Sequence, residues 1–569
     1  KKQLPVLKEV KSKAIQNDPD KPTHILIEGD NYHALSVLNY THQNAIDVIY
    51  IDPPYNTGAR DWKYNNNFVD ETDVYRHSKW LSFMKNRLQI AKYLLKPTGV
   101  LICAIDENEQ ERIGLLLEEL FPSHEKTCVT IIHNPGGIQG DNFSYCHEYA
   151  YFIFPNDGTY IGKIHRDDAD IIPFRDWGGK ESKRETGRNS FYPIILKYNK
   201  IIGFGDVCDV DYHPESSNIK NPDGTISVYP IDNHQIERKW RFARQSVDQI
   251  KSDLFIENSN DEYVIKRRKS EYRYKTVWTD KKYNSNAYGS SLLNKMIDKK
   301  FPFPKSLYNV KECLDAVARN NPYAVILDYF AGSGTTAQAV LEMNRLDDGN
   351  RKFILCTNNE GNICEEICYP RVTNVINGYN AKAKTRTLLF DKKLSLRELS
   401  QTQTFLKEIE EIKTEQEKYF DRFESEFEDN TIKLFGVKNK NNDIAGLGGN
   451  LKYYKTAFVP AQPTDRNKEK LTKQSVEMLC LKENTFETVL ETEVIKIFKN
   501  KDHYTGILFD EQKMHEFKEL IKDFDLSVSV YIFSLGEDDF AEEFSEMQDK
   551  VKVCSIPAAI LRVYKRIFR

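Results

Sequence analysis

The sequence predicts an α/β fold in which a parallel sheet is assembled from two separated parts of the chain. Residues 48–51 form an apolar run that ends at Asp52, and residues 325–327 form a second apolar run that ends at Asp328. Short apolar runs of this kind are typical of buried strands. Because ligands of open α/β sheets bind outside the carboxyl ends of the strands, the loops after both runs are expected to open into one cleft.

The composition indicates a multidomain protein of the cytoplasm. A chain of 569 residues is expected to form about two to four domains. Its 81 basic residues nearly balance its 85 acidic residues, so a nucleic-acid surface would have to arise from local clustering. Cys364 and Cys368 are the closest of ten cysteines and have no second pair, which predicts reduced thiols and no metal site. No apolar run approaches the roughly 20 residues that span a bilayer, and the Lys-rich start lacks a signal-peptide core.

Two stretches show the alternation of strands and helices that βαβ units have, namely residues 20–155 and 281–395. In the first stretch we predict strands over 25–27, 47–52 and 100–105, a helix over 32–38, and a helix over 80–95 that is ended by Pro97-Thr98-Gly99. In the second stretch we predict strands over 324–328 and 353–357 and a helix over 334–344.

The stretch from 396 to 569 predicts a helical linker followed by a C-terminal module. An apolar stripe at spacings of three and four residues predicts one long helix and consists of Phe405, Ile409, Ile412, Gln416, Tyr419 and Phe423. Such a stripe suits ordinary core packing or a dimer interface. Residues 451–569 are typical of a small α/β module without evident chemistry.

The middle stretch, 156–280, lacks the βαβ rhythm and is rich in basic and aromatic residues. Within 236–282 there are 13 Lys and Arg residues against 8 Asp and Glu residues, interleaved with Trp and Tyr. This mixture suits a surface that neutralises phosphates and packs on sugars or bases, although a solvated charged face is the plainer alternative. The candidate DNA-binding residues are Lys239, Arg241, Arg244, Lys266, Arg267, Arg268 and Lys269.

The loop Asp52-Pro53-Pro54-Tyr55 carries the candidate catalytic residues. Methyl transfer to a conjugated amine needs hydrogen-bond acceptors for the two N–H groups, and the Asp52 carboxylate and the Pro53 carbonyl supply them because consecutive prolines fix the loop. Tyr55 offers a ring on which a base extruded from duplex DNA can stack. An Asp-Pro turn is the structural alternative.

The segment from Asp328 to Thr336 is a glycine turn that enters a helix. Its glycines allow close approach of a ligand, and no Lys follows the last glycine as a Walker A loop would require. Glu360 follows the next strand, where an acidic side chain can take ribose hydroxyls; a surface acid is the alternative. The two loops together predict a methyltransferase that uses S-adenosylmethionine to modify an amino group of a DNA base.

The chain resembles the β-group of DNA amino-methyltransferases, and in particular the modification (Mod) subunit of type III restriction–modification systems. The matching segments are residues 26–31, 50–58, 301–306 and 328–336, and their order, with a recognition region between them, is that of the β-group. The resemblance implies that Lys305 and Ser306 hold the methionine carboxylate and that Asp30 lies near the adenine of the cofactor. The implied cofactor-binding set is Asp30, Lys305, Ser306, Asp328, Phe330, Gly332, Gly334, Thr335 and Glu360.

These features predict a Rossmann-like methyltransferase sheet interrupted by a target-recognition insertion. The catalytic half is expected over 20–155, the recognition domain over 156–280, the cofactor-binding half over 281–395, and a helical and C-terminal module over 396–569. The predicted reaction is site-specific N6-adenine methylation of double-stranded DNA. N4-cytosine methylation, RNA methylation and a non-catalytic DNA-binding role are the alternatives. The resemblance is compatible with a homodimer and with a separate restriction subunit as partners. Since the chain shows no nuclease motif, it is expected to modify DNA without cutting it.

Overall fold

A computed structural model describes residues 3–57, 74–139, 142–259, 262–299, 301–394, 402–428, 430–536 and 540–568. Gly58, the last residue of the motif over 50–58, lies outside these ranges. The chain divides into two compact units, one formed by Lys1–Gly162 with Lys275–Arg569 and the other by Lys163–Tyr274. The second unit lies within the stretch whose sequence lacks the βαβ rhythm. No helix in the described ranges is long and apolar enough to cross a membrane.

The elements before the second unit are β1 (Gln3–Glu9), β2 (Thr23–Glu28), α1 (Asn31–Thr41), β3 (Ile46–Ile51), α2 (Arg76–Lys92), β4 (Leu95–Ile105), α3 (Gln110–Leu120), β5 (His124–Ile132), β6 (Ile138–Gln139), β7 (Ser144–Tyr145) and β8 (His147–Pro155). The second unit contains β9 (Lys163–Pro173), β10 (Ile194–Lys197), β11 (Lys200–Phe204), β12 (Asn218–Lys220), β13 (Ile226–Val228), α4 (Arg244–Val247), β14 (Leu254–Ser259) and β15 (Glu262–Arg273).

The chain then continues through β16 (Val277–Trp278), α5 (Ser291–Met296), α6 (Leu307–Ala318), β17 (Val325–Asp328), α7 (Thr335–Asp347), β18 (Lys352–Thr357), α8 (Tyr369–Asn377) and β19 (Gly378–Lys393). The remaining elements are α9 (Thr402–Gln416), β20 (Arg422–Glu428), β21 (Thr431–Ala445), β22 (Asn450–Pro460), α10 (Asp465–Lys473), α11 (Val476–Glu483), β23 (Glu487–Glu491), β24 (Ile495–Lys499), β25 (His503–Leu508), α12 (Met514–Ile521), β26 (Ser527–Phe533), β27 (Val551–Ile556) and α13 (Ala558–Ile567).

A ten-stranded sheet forms the centre of the first unit, in the order β1-β22-β2-β18-β17-β3-β4-β8-β5-β16. All neighbours from β22 to β4 are parallel. Strands β17 and β3 come from distant parts of the sequence and lie side by side, with Ile326 opposite Val48 and Leu327 opposite Ile49. The predicted α/β fold is therefore confirmed, and the two predicted loops leave neighbouring strands at the same edge of the sheet.

The strands at the centre of this sheet are apolar on both faces, as parallel strands covered by helices require. In β3, Ile46, Val48, Ile49, Tyr50 and Ile51 are all buried. This double burial explains why the sequence shows a continuous apolar run there instead of alternation. It also fixes the point at which the chain emerges, at Asp52.

Two local predictions were wrong. The helix expected over the whole stripe from Phe405 ends at Gln416, and Phe423 lies in β20 opposite Gly436. Charged residues occupy every second position from Arg422 to Glu428, a period of two that favours a strand, and the predicted helical stripe wrongly included Phe423 from this segment. Helix α2 ends at Lys92, and Pro97-Thr98-Gly99 lie inside β4.

The last part of the chain contributes to two sheets. Strand β22 lies in the central sheet between β1 and β2, and strands β23–β27 form a separate five-stranded sheet. The Tyr564 hydroxyl of α13 donates a hydrogen bond to the Pro5 carbonyl of β1. The C-terminal residues are thus packed into the same core as the N-terminal strand.

Candidate active site

The loop after β3 presents a carboxylate at the edge of the sheet, and its side chain is 26% exposed. Asp52 is the first residue beyond β3, and Pro53 behind it is buried. Asp52 Oδ1 is buried, and no described residue donates a hydrogen bond to it. An acceptor in this condition is costly to leave unpaired, so it is suited to a donor brought by a substrate.

Two contacts fix the backbone of this loop. The indole N–H of Trp80, a fully buried residue of α2, donates to the Pro54 carbonyl at 2.7 Å. Asn56 has a positive φ of 57°, and its side-chain amide donates to Glu109 Oε1 at 2.5 Å. Glu109 is fully buried and also contacts His77 Nδ1 at 2.6 Å. The loop is therefore held at both ends of the Pro54–Asn56 turn before any substrate binds.

A lysine from the other half of the sequence reaches the catalytic loop. Lys305 Nζ lies 3.5 Å from Asp52 Oδ1 and donates hydrogen bonds to the Tyr55 hydroxyl and to Glu148 Oε2. The ammonium also lies 4.6 Å from the centre of the Tyr55 ring. Asn309 donates to the second oxygen of Glu148 at 2.6 Å. The side chains of Lys305 and Glu148 are only 10% and 4% exposed.

The charges in this cluster influence one another strongly. Burial raises the pKa of the Asp52 carboxyl, Lys305 opposes that rise, and Glu148 adds to it. Burial alone would lower the pKa of Lys305, but the carboxylates of Asp52 and Glu148 outweigh it and raise that pKa. Lys305 is consequently a stable cation between two carboxylates.

The glycine loop after β17 is organised by its own buried side chains. Asp328 accepts hydrogen bonds from the Phe330 amide at 2.9 Å and from the Thr336 hydroxyl at 2.5 Å, and burial raises its pKa to about 7. Gly332 and Gly334 have positive φ values of 49° and 78°, which a β-branched residue rarely adopts. These constraints fix the path of the chain into α7.

The start of α7 is held by a buried arginine that the sequence analysis did not identify. Arg371 of α8 donates to the hydroxyls of Ser333 at 3.0 Å and Thr335 at 2.8 Å, and to the Gln338 side chain at 3.0 Å. Thr335, a predicted cofactor-binding residue, is itself buried, and its hydroxyl faces Arg371. A side chain at Gly334 would meet Cys368 Sγ at 3.2 Å, so that glycine serves close packing of α7 on α8.

The predicted adenine-side acid lies beside the glycine loop. Asp30 caps α1 by accepting from the Tyr32 amide and forms an ion pair with Arg87 at 3.2 Å. The next residue, Asn31, donates to the Tyr329 carbonyl at 2.8 Å, which joins the start of α1 to the glycine loop. Arg87 also packs on the Phe83 ring, whose centre is 6.0 Å from that of Phe330.

The remaining predicted cofactor residues differ in exposure. Glu360 is exposed in a short turn after β18, where its carboxylate is accessible from solvent. Ser306 is fully buried at the start of α6, and its hydroxyl donates to the Lys282 carbonyl at 2.8 Å. Ser306 therefore anchors the segment that carries Lys305.

The candidate DNA-binding residues all lie in the second unit, several of them in ion pairs. On β15, Lys266 pairs with Glu257 and Arg267 with Asp253, Arg268 is exposed, and Lys269 packs on Tyr272. Of the other three, Arg244 pairs with Asp248 and Arg241 with Asp176, while Lys239 donates to the Thr186 hydroxyl.

The fold and this arrangement define a class: an α/β enzyme with a carboxylate loop and a glycine loop on adjacent parallel strands. A family model described as DNA methylase, N6_N4_Mtase, matches residues 46–367. That match covers the catalytic loop, Lys305 and the glycine loop. The chain belongs to this DNA methylase family.

Curated relatives agree with this assignment. The chain is 31% identical over 356 residues to the type II methyltransferase M.KpnI of Klebsiella pneumoniae, covering 60% of this chain and 82% of that protein. It is 26% identical to the type III EcoPI Mod subunit of Escherichia phage P1, covering 62% of this chain and 60% of the relative. For the StyLTI Mod subunit of Salmonella typhimurium the identity is 27%, with 63% and 57% covered. The alignments thus span less than two thirds of these two Mod subunits.

Proposed function

We propose that this protein transfers a methyl group from S-adenosylmethionine to N6 of an adenine flipped out of double-stranded DNA, at a specific sequence. The observation that carries the proposal is the Asp52 carboxylate at the carboxyl end of β3, whose buried Oδ1 faces the Lys305 ammonium at 3.5 Å and accepts no hydrogen bond from a described residue. An exocyclic amine is the kind of donor that such an acceptor needs. The family match, which covers N6 and N4 amino-methylases, supports amine methylation.

The loop would act by position and polarisation. Asp52 would accept one N–H of the target amine and the Pro53 carbonyl the other, which localises the nitrogen lone pair. Trp80 and Glu109 hold the loop so that these acceptors need not reorganise during the reaction. Tyr55 would provide the stacking surface for the flipped base.

The neighbouring strand ends fit the cofactor. Asp30 and the exposed Glu360 supply carboxylates for ribose or adenine groups, and Phe330 is buried next to the positive-φ glycines, where it packs against Phe83 and shapes the pocket wall. When bound, S-adenosylmethionine supplies an electrophilic methyl group on a sulfonium. We assign Asp328, Gly332, Gly334 and Thr335 to the shape of this pocket, because their polar groups or backbones are engaged within the protein.

The second unit, Lys163–Tyr274, is proposed as the target-recognition domain. Its exposed cations are suited to phosphate contacts that position the duplex. Resemblance to Mod subunits extends the proposal to a homodimer that works with a restriction subunit in the cytoplasm, and size measurement and co-purification would test both partners.

The product identifies the reaction. The full chain is expressed in cells that lack their own DNA methyltransferases, and the DNA is sequenced for modified bases and digested to nucleosides for mass spectrometry. N6-methyladenine at one short sequence supports the proposal, and its absence from cells expressing Asp52→Ala assigns the activity to this chain. Detection of N4-methylcytosine instead would show that the target base is cytosine. The absence of any methylated base would refute the proposed function.

A further inference from the structure

Lys305 occupies a place in the catalytic loop that the cofactor assignment does not explain. Its ammonium contacts three groups of the loop's surroundings: the carboxylates of Asp52 and Glu148 and the hydroxyl of Tyr55. All of these contacts lie on the side of β3 and β8, whereas the glycine loop follows β17. A lysine whose role is to bind the methionine carboxylate would not require contact with a buried carboxylate such as that of Glu148.

Glu148 is built to hold this lysine. It lies in β8 opposite Ile131 of β5, and its carboxylate is shared between Lys305 and the Asn309 amide of α6. Ser306 fixes the same segment through the Lys282 carbonyl. The ammonium is therefore positioned from two directions, by its own backbone and by the acid it contacts.

We propose that Lys305 is a positioning residue for methyl transfer: its ammonium, anchored by Glu148, keeps Asp52 ionised and fixes the Tyr55 hydroxyl in the catalytic loop. This inference rests on the proposed function. It transfers Lys305 from the cofactor-binding residues to the catalytic loop and gives Glu148 a role that the sequence analysis did not predict.

The charge balance explains why the loop needs a cation. Asp52 and Glu148 face the same small volume, and two buried carboxylates without a cation cannot both remain ionised. A protonated Asp52 would present a donor on one oxygen and would be a poorer acceptor for an amine. Lys305 gives the pair a net charge of minus one and leaves Asp52 as an acceptor.

Asp52 is also surrounded by groups from the neighbouring strands. The titratable groups that face it or Lys305 are Glu148 of β8, Tyr50 of β3, Cys103 and Asp106 at the end of β4, Tyr55, Asp328 of β17, Cys313 of α6, and His133, whose pKa burial lowers so that it stays neutral. Lys305 is the cation among them. An opposite charge at this range lowers the pKa of a carboxyl by about 1–3 pH units.

The test compares Lys305→Met, Glu148→Gln and the double variant in the full-length protein, with DNA carrying the methylated sequence. In the pH profile of kcat/KM for DNA, the acid limb reports the ionisation of groups in the free enzyme. We expect Lys305→Met to move this limb to higher pH by about 1–3 units, because Asp52 loses its cation. Glu148→Gln should move it to lower pH while decreasing kcat, because it removes a negative neighbour and loosens the lysine.

Two further readouts separate positioning from other roles. The Kd of S-adenosylmethionine, measured by calorimetry without DNA, should change less than about threefold in either variant, well below the tenfold that one 1.4 kcal/mol contact represents. The losses in kcat should be non-additive in the double variant, since both residues act through one contact.

Lys305→Arg keeps the charge and should keep the acid limb near that of the wild type. Glu125→Gln, at an exposed position of β5, is the matched acid control.

The outcomes are distinct. A wild-type protein that methylates no DNA refutes the proposed function. An active wild type whose acid limb stays in place in both variants refutes the role of Lys305 and Glu148 alone. A tenfold or greater loss of cofactor affinity in Lys305→Met with an unmoved acid limb assigns Lys305 to the methionine carboxylate and also overturns the inference. If Lys305→Met does not fold, as judged by its melting curve, Lys305→Gln and Glu148→Gln carry the same test.

Discussion

Replacing Asp52 by asparagine removes one charge from the catalytic loop and leaves its shape almost unchanged. Asp52 Oδ1 is buried without a hydrogen-bond donor, and Lys305 Nζ lies 3.5 Å from it. A carboxylate can face the lysine and a target amine at once, because both of its oxygens accept. An asparagine has one acceptor, so its amide must turn the oxygen either towards Lys305 or towards the amine.

The expected loss is that of one preorganised acceptor in the transition state. Removal of a comparable group in other enzymes costs about 2.7–4 kcal/mol, or about 100- to 1,000-fold in kcat. Asp52→Ala should lose at least as much. Stability should not fall in the asparagine variant, since burial raises the pKa of Asp52 and the fold therefore disfavours its ionised form. Lys305 keeps Glu148 as a partner in either variant.

Single-turnover methylation of a duplex with the identified site gives the rate of the chemical step, and calorimetry gives the affinity for S-adenosylmethionine. We expect the rate to fall by the amount above and the affinity to stay near that of the wild type. Asp47→Asn, at the opposite, amino-terminal end of β3, is the matched control for loss of a charge, because its partners Lys96, Asn321 and the Val325 amide all lie away from the loop and its melting curve reports any loss of stability. An asparagine variant that retains a third of the wild-type rate would show that Asp52 is not the acceptor of the amine.

Three further predictions concern the loops and the basic surface. Gly332→Val should abolish binding of S-adenosylmethionine while the melting curve shows a folded protein, because φ at this position is 49°; unchanged affinity in calorimetry would make the loop purely structural. Trp80→Phe should lower kcat and destabilise the protein by about 1–3 kcal/mol in denaturant unfolding, since the Pro54 carbonyl loses its donor. A wild-type kcat together with a wild-type free energy of unfolding would show that this hydrogen bond does not hold the loop. Reversing the charges of Lys266, Arg267, Arg268 and Lys269 should weaken DNA binding and reduce the log–log salt slope by about 0.9 for each lost phosphate contact, without changing cofactor affinity. Arg268→Glu alone should give a large share of that effect, because Lys266 and Arg267 already pair with acids. An unaltered salt slope in the fourfold variant would show that the DNA surface lies elsewhere.

The sequence predicted the central sheet well because its strands are buried on both faces. Strands buried on both faces require continuous apolar residues, which the sequence shows at 48–51 and 325–327. The loop that follows each run must leave the sheet at the end of the strand. The rule that ligands bind outside the carboxyl ends of parallel strands then predicted that both loops open into one cleft. The family motif supplied the identity of the loops.

The contacts between distant segments could not be predicted from the sequence. Nothing local in the sequence shows that the Glu148 carboxylate reaches Lys305, 157 positions away. Glu109 resembles any acid at the start of a helix until its burial against Asn56 is seen. The strand β20 was missed because one helical stripe and one alternating stretch adjoin, and the shared aromatic residues fit both periods.

The position of β22 has a consequence for how the protein is made. Strand β2, which leads to Asp30, pairs with β18 on one side and with β22 on the other. During synthesis the catalytic and glycine loops are both complete by residue 336, yet β2 keeps one unpaired edge until residues 450–460 leave the ribosome. A nascent chain in that interval exposes a strand edge that other chains can pair with. A fragment cut after the last motif would keep that edge permanently, and one cut after Pro460 would still lack the C-terminal residues that pack in the core of β1 and α1, so study of the active site calls for the chain through α13.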